Sequence, residues 1–255
     1  MHSNNVTLID YMGSDRTHAV NAWASTFLDL ELNLPDDIHA RTDALTDAIL
    51  ANGGRKRDVP GLLKFLADHG HSSPFRASKF LFAMTEDIAT HIHLLKHHVA
   101  IEHENAESAR YKELKEDKFY LPEDWLNYGD QGQYWYRMLY DHTITGNALY
   151  HKALADLTAA GMPRDRAKET ARYFKAYNTQ INVMRSLSFD GLVQVWQKRG
   201  AHTKAQREVA AIVEAMVEQV RRIPGEPFKH SLEAWGMGRK KAGESLESLK
   251  ECVYL

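Results

Sequence analysis

Short segments of period two give way along this chain to long segments of helical period, with no regular alternation of the two, and that order restricts the fold most. A doubly wound parallel sheet needs strand and helix in strict turn, so the pattern argues for an α+β fold, a mixed sheet with long helices. VTLIDYM from Val6 alternates apolar and polar side chains as a half-buried strand does, and the following GSD breaks it before an apolar-periodic helix from His18 to Phe27. KFLFAM from Lys79 to Met84 puts Phe80, Phe82 and Met84 on one face of a second strand. Helical spacing then dominates: Val59 to His69, closed by Gly70; Ile88, Ile92 and Leu95, in a helix expected to reach about His98; Gln133 to about Ala160; and a helix holding Ala171 and Arg172. The last long helix, from about Lys204 to Arg222, has Val209, Ile212, Val213, Met216 and Val220 as its buried stripe. Asn52, Gly53 and Gly54 with the RKRD that follows read as a loop, as does KELKEDKFYLPEDW from Lys112 to Trp125.

At 255 residues and 44% hydrophobic content the chain can bury a real core. Its 32 basic and 34 acidic side chains are intermixed, so no global field selects nucleic acid or an anionic membrane. The single cysteine, Cys252, has no partner for an intrachain disulfide, and no stretch approaches a membrane span or signal core. A cytoplasmic protein, one domain over residues 1–255, is expected.

The densest polar constellation is HGHSSPF at 69–75, KHH at 96–98 and NAESARY at 105–111. Five histidines crowd positions 91 to 103; His93 and His97 stand four apart, a spacing that puts two imidazoles on one helix face, with Glu102 or Glu104 within reach as a third ligand. Without an HExxH motif, a cysteine pair or an acid placed as a base, solvated or anion-facing histidines are the better reading, and no metal is expected. Ser108, Ala109 and Arg110 suit a phosphate, whose oxygens can share backbone N–H groups and a guanidinium fork. Lys96, His97 and His98 read either as anion-gripping groups or as cations suited to a helix C-terminus.

Taken in order, these segments resemble the flavin-dependent thymidylate synthases. VTLIDYMGSD is similar to the family's first strand and turn, HGHSSPF to its HGH[ST]PF segment, KHH to the position of its RHR triplet, and NAESARY to its NExSxRY. GMPRDRAKETARYF, AQREV and FKHSLEAW resemble later family segments, so the likeness runs from about Val6 to Trp235. It implies a homotetramer with active sites at subunit interfaces, FAD as cofactor, and a pyrimidine deoxynucleotide as substrate. The implied reaction is reductive methylation of deoxyuridylate (dUMP) to thymidylate, with methylenetetrahydrofolate as carbon donor and NADPH as reductant.

Carried over position by position, the resemblance places His71, His93 and Arg199 at catalytic positions. Ser73, Lys96, His97, His98, Ser188 and Gln194 fall at cofactor-binding positions, and Ser108, Ala109, Arg110 and Arg172 at nucleotide-binding ones. The departures are concentrated on the flavin side. Lys96 and His98 replace two planar guanidinium forks with a point charge and a titratable ring, Ala106 replaces a glutamate beside Glu107, His93 a glutamine and Asp190 an arginine. They leave open a related reaction, hydroxymethyl transfer or a cytosine substrate, and a nucleotide-binding homologue without flavin catalysis.

Overall fold

The computed structural model describes residues 3–27, 33–51, 57–108 and 110–239; Cys252, Ala109 and the Asn52–Gly54 turn lie outside them. The elements follow in the order β1 (Asn5–Met12), α1 (Asp15–Phe27), α2 (Arg41–Ala51), α3 (Val59–Asp68), β2 (Lys79–Asp87), α4 (Ile88–Leu95), β3 (Ile101–Ala106), α5 (Gly129–Ala159), α6 (Arg164–Ala171), β4 (Gln180–Ser188), α7 (Phe189–Arg199), α8 (Arg207–Arg221) and α9 (Lys229–Ala234). The strands form one sheet in the order β1-β2-β4-β3. Asn4 beside Asp87, Thr85 beside Asn182, and the Glu107 N–H on the Asn182 carbonyl show that neighbouring strands run antiparallel. This is the α+β fold that the order of periods implied.

Several local expectations are corrected. β1 is an edge strand that buries Val6 but leaves Ile9, Tyr11 and Met12 exposed, so it is not half-buried along its length. α4 stops at Leu95, capped by Lys96, and residues 96–100 turn into β3. His97 therefore lies beyond the helix and does not share a helix face with His93 by regular i, i+4 spacing. α8 begins at Arg207, slightly later than its pattern suggested, and its stripe of Val209, Ile212, Val213, Met216 and Val220 is buried.

The chain divides into two compact units: residues 1–6, 83–96 and 104–184, and residues 7–82, 97–103 and 185–255. In the first, α6 lays Ala167 and Ala171 against Tyr150 and Leu154 of α5, a small apolar core completed by Leu157 and Met162. Each large side chain buried there contributes about 2 kcal/mol. Lys175 is buried beside it, its ammonium over the Tyr150 ring and bonded to Asp117 and Asn147, which satisfies a charge otherwise costly to bury.

The second unit has an aromatic core of Phe75, Phe80, Phe189 and Phe228 packed around His18. His18 joins a buried polar chain. Ser231 donates its hydroxyl proton to Asp15 at 2.5 Å, so its oxygen accepts from His18 Nδ1 at 2.8 Å. Nε2 then accepts from the Ser78 hydroxyl, also at 2.8 Å. Burial pushes the His18 pKa down to about 3 and so keeps the imidazole neutral, which leaves Nε2 as the acceptor toward Ser78.

Candidate functional site

In the second unit, the end of α3 sets up the HGHSSPF segment. Gly70, at φ +70°, occupies the left-handed position; its N–H bonds the Ala67 carbonyl and the His71 N–H bonds the Leu66 carbonyl, which is a Schellman closure. Pro74 and Phe75 are buried as anchors, while His71, Ser73 and Arg76 remain at the surface. The arrangement presents Ser73 and Arg76 on a short 3-10 turn and His71 just before it.

α7 supplies the facing residues. Ser188 is its N-cap: the buried Oγ accepts the Gly191 N–H at 3.1 Å, so this hydroxyl is committed to the helix. A Cβ on Gly191 would stand 2.3 Å from the Ala100 carbonyl, so only glycine lets the turn after His97 pack this closely on α7. That packing brings His97, itself buried, within reach of Arg199, whose Nε–H donates to His97 Nε2 at 3.1 Å. An accepting Nε2 carries a lone pair, so His97 is neutral with its proton on Nδ1. Asp190, in the first turn of α7 and buried, accepts from Arg76 Nε at 2.8 Å and from the Gln194 amide at 3.0 Å. His98 is exposed.

The first unit holds the other residues. The Ser108 carbonyl accepts the Tyr111 and Lys112 N–H groups, and its Oγ accepts the Arg110 N–H at 3.3 Å. Lys168 on α6 donates to the Tyr111 carbonyl and Asn182 donates to Glu107, which pins this turn from both sides. Glu107 also pairs with Lys112, so its carboxylate is engaged within the turn region. Arg110 Nε donates to Glu169 at 2.8 Å, and Arg166 donates to the same carboxylate. Hydrogen bonds from Arg166 and then Arg110 hold the Glu169 carboxyl below the usual range. Arg172 follows α6 directly; its side chain is exposed and makes no hydrogen bond or ion pair among the described residues.

Also in this unit, Lys96 is exposed and His93 is partly buried on α4. His91, on the same helix, sits between two carboxylates, with Nδ1 at 2.9 Å from the buried Glu86 and Nε2 at 3.6 Å from Glu104. Among the described residues no group of three or more histidine, cysteine or carboxylate side chains is arranged to hold a metal.

The structure thus joins His97 to Arg199 and Gln194 to Asp190 in one unit, and groups Ser108, Arg110 and Arg172 around α6 in the other. Sequence reasoning missed Glu169 and Arg76. Arg166 and Glu169 form an i, i+3 pair that helical spacing could have shown, whereas Arg76 and Asp190 lie 114 positions apart, and no local pattern announces their contact.

No described helix is long and apolar enough to cross a membrane. No curated protein matches the chain. The UMP/dUMP methylase PolB from Streptomyces cacaoi, solved with 5-Br dUMP, aligns at 22% identity over 92% of this chain and 96% of that one, with a TM-score of 0.70. The same methylase solved with 5-Br UMP aligns at 20% identity over 93% and 96%, with a TM-score of 0.66. At such identities the likeness establishes a shared fold. The model of the family described as thymidylate synthase complementing protein matches residues 7–224, and the segments from Ser73 to Arg199 fall inside that range. The chain therefore belongs to the thymidylate synthase complementing protein family, the flavin-dependent thymidylate synthase-like methyltransferases.

Proposed function

We propose that the protein, acting as a single domain, methylates carbon 5 of a pyrimidine deoxynucleotide, with dUMP to thymidylate as the reaction, FAD as cofactor, methylenetetrahydrofolate as carbon donor and NADPH as reductant. The observation that carries this reading is the family match over residues 7–224, which contains every residue assigned a role below. The description of PolB as a UMP/dUMP methylase, solved with 5-bromo analogues, supports a uracil nucleotide as the methyl acceptor.

Arg110 and Arg172 hold the nucleotide phosphate, joined by the Ser108 hydroxyl and by Ala109. His93 and Arg199 orient the pyrimidine and polarise its carbonyls, and His71 completes the catalytic set. The second unit's donor chemistry suits FAD: Ser73, Arg199, His97, His98 and the Gln194 amide offer neutral or cationic donors, and the buried carboxylate of α7, Asp190, is already charge-paired. Lys96 adds a cation from α4 and Ser188 fixes the start of α7. Bound FAD supplies the hydride and the ring chemistry, while the side chains bind, orient and stabilise developing charge.

Incubating the purified protein with FAD, NADPH, methylenetetrahydrofolate and, in turn, dUMP, UMP and deoxycytidylate tests the reaction by product mass. A methylene gain on dUMP is expected. A gain of CH2O instead identifies a hydroxymethylase, a gain only on deoxycytidylate identifies a cytosine substrate, and unchanged nucleotides from a colourless protein favour the binding homologue.

The homotetramer, with its active sites at subunit interfaces, is supported by α5. Gly132, Thr143, Gly146, Tyr150 and Leu154 form its buried face, yet Tyr134, Trp135, Met138 and Leu149 lie outside that face on one flank and are exposed. A helix apolar beyond its buried face requires a second partner, and another copy of this chain is the proposed one. Replacing Trp135 and Met138 by glutamate is expected to convert the tetramer to smaller species in light scattering while circular dichroism is preserved. A tetramer that persists in the double variant would remove α5 from the interface.

A further inference from the structure

We propose that Arg76 is an anion-binding residue of the flavin side, its guanidinium aimed by Asp190. This rests on the FAD reading above and adds a residue to it. Arg76 is 63% exposed, yet its Nε is bonded at 2.8 Å to a carboxylate that is only 4% exposed. Asp190 sits in the first turn of α7, where the helix dipole favours a negative charge, and Gln194 donates to the same oxygen at 3.0 Å. The carboxylate is thus fixed in place and takes the guanidinium by one edge.

The opposite edge is left open. Neither Nη group of Arg76 meets an acceptor among the described residues and the side chain is 63% exposed, so its terminal N–H groups are available as a planar fork. Such a fork matches two oxygens of one phosphate, whereas a lysine or histidine does not. Ser73 lies on the same 3-10 turn, and Gln194 shares the Asp190 carboxylate. The segment around residue 97 contributes only imidazoles, one of them already bonded to Arg199. Arg76 is therefore the cation of this unit best prepared to take a diphosphate. Asp190 is a positioning residue, and it acts through Arg76.

The test measures FAD affinity by flavin fluorescence and dUMP affinity by calorimetry on the purified full-length protein. Because Arg76→Gln leaves Asp190 short of its ionic partner, R76Q/D190N is prepared alongside; it buries no charge there, and circular dichroism checks that it is folded. R76Q and R76Q/D190N are each expected to lower FAD affinity at least about tenfold, with R76K recovering only part of the loss because it keeps charge without the fork. dUMP affinity should stay within about twofold of wild type, because Arg76 and Asp190 bond to each other and to Gln194 and to none of the residues assigned to the nucleotide. D190N alone should lower FAD affinity, but add nothing in the R76Q background. A folded double variant that binds FAD like the wild type overturns the proposal alone, and equal losses of FAD and dUMP affinity overturn it by showing a general structural role. A wild-type protein that binds dUMP but no FAD overturns both this proposal and the flavin reading.

Discussion

Replacing Arg172 with alanine is expected to weaken dUMP binding by about 2 to 5 kcal/mol, the cost of removing one partner from a desolvated charge pair. The effect should be large because the side chain is uncommitted. It follows α6 on a short 3-10 turn seated by the Ala167, Ala171, Tyr150 and Leu154 core, so its backbone is fixed while its guanidinium has no competing acceptor among the described residues. Arg110 differs: its Nε is held by Glu169, a bond that must be exchanged for the phosphate. Exposed pairs of this kind are worth about 0 to 1 kcal/mol, so Arg110→Ala is expected toward the lower end of the same range. Calorimetric titration of each variant with dUMP checks both values, and unchanged affinity for Arg172→Ala would take that residue out of the phosphate site.

The difference between the two arginines marks what the sequence could and could not show. The turn from Ser108 to Arg110 reads from adjacent residues, because its chemistry is local. Glu169 is hidden until the turn and α6 are brought together by Lys168, and the Arg76–Asp190 pair depends on a contact between a 3-10 turn and a helix far apart in the chain. The same division holds for the fold. β2 shows a clean period of two because Phe80, Phe82 and Met84 are all buried on the same side of the strand, and α8 shows its stripe because one side packs. β4 lies inside the sheet and buries Ile181, Val183, Arg185 and Leu187 in alternation, but the charged Arg185 on that face and the apolar Met184 on the other blur its hydrophobic pattern, so it escapes notice. β3 is an edge strand, IEHENA, in which Ile101 is the one fully buried side chain, leaving little hydrophobic signal. For α4, apolar spacing predicted a longer helix, but the close approach of Ala100 to Gly191 requires the chain to turn early, a tertiary constraint absent from local periodicity.

Acidification is expected to destabilise the protein through His18, by about 2 kcal/mol between pH 7 and pH 5. The sign follows from linkage. Burial lowers the His18 pKa from 6.5 to about 3 in the folded state, so the unfolded chain binds the extra proton first. The stabilisation is complete above 6.5 and is lost as pH falls from there toward about 3, at no more than about 1.4 kcal/mol per pH unit. The structural cause is that burial: His18 is enclosed by the rings of Phe75, Phe189 and Phe228, where a charged imidazolium would lose its hydration. Asp15 works in the opposite sense, since burial raises its pKa against the bonds it accepts from Ser231 and His230, and its contribution is lost as pH rises through the folded value. A His18→Gln variant separates the two. Glutamine keeps one donor and one acceptor but does not titrate, and Asp15 is common to both proteins. Urea unfolding at pH 7 and pH 5 should show the wild type losing about 2 kcal/mol more than the variant across that interval. Equal losses would mean that the pH response arises elsewhere and that the His18 chain is held in another protonation state.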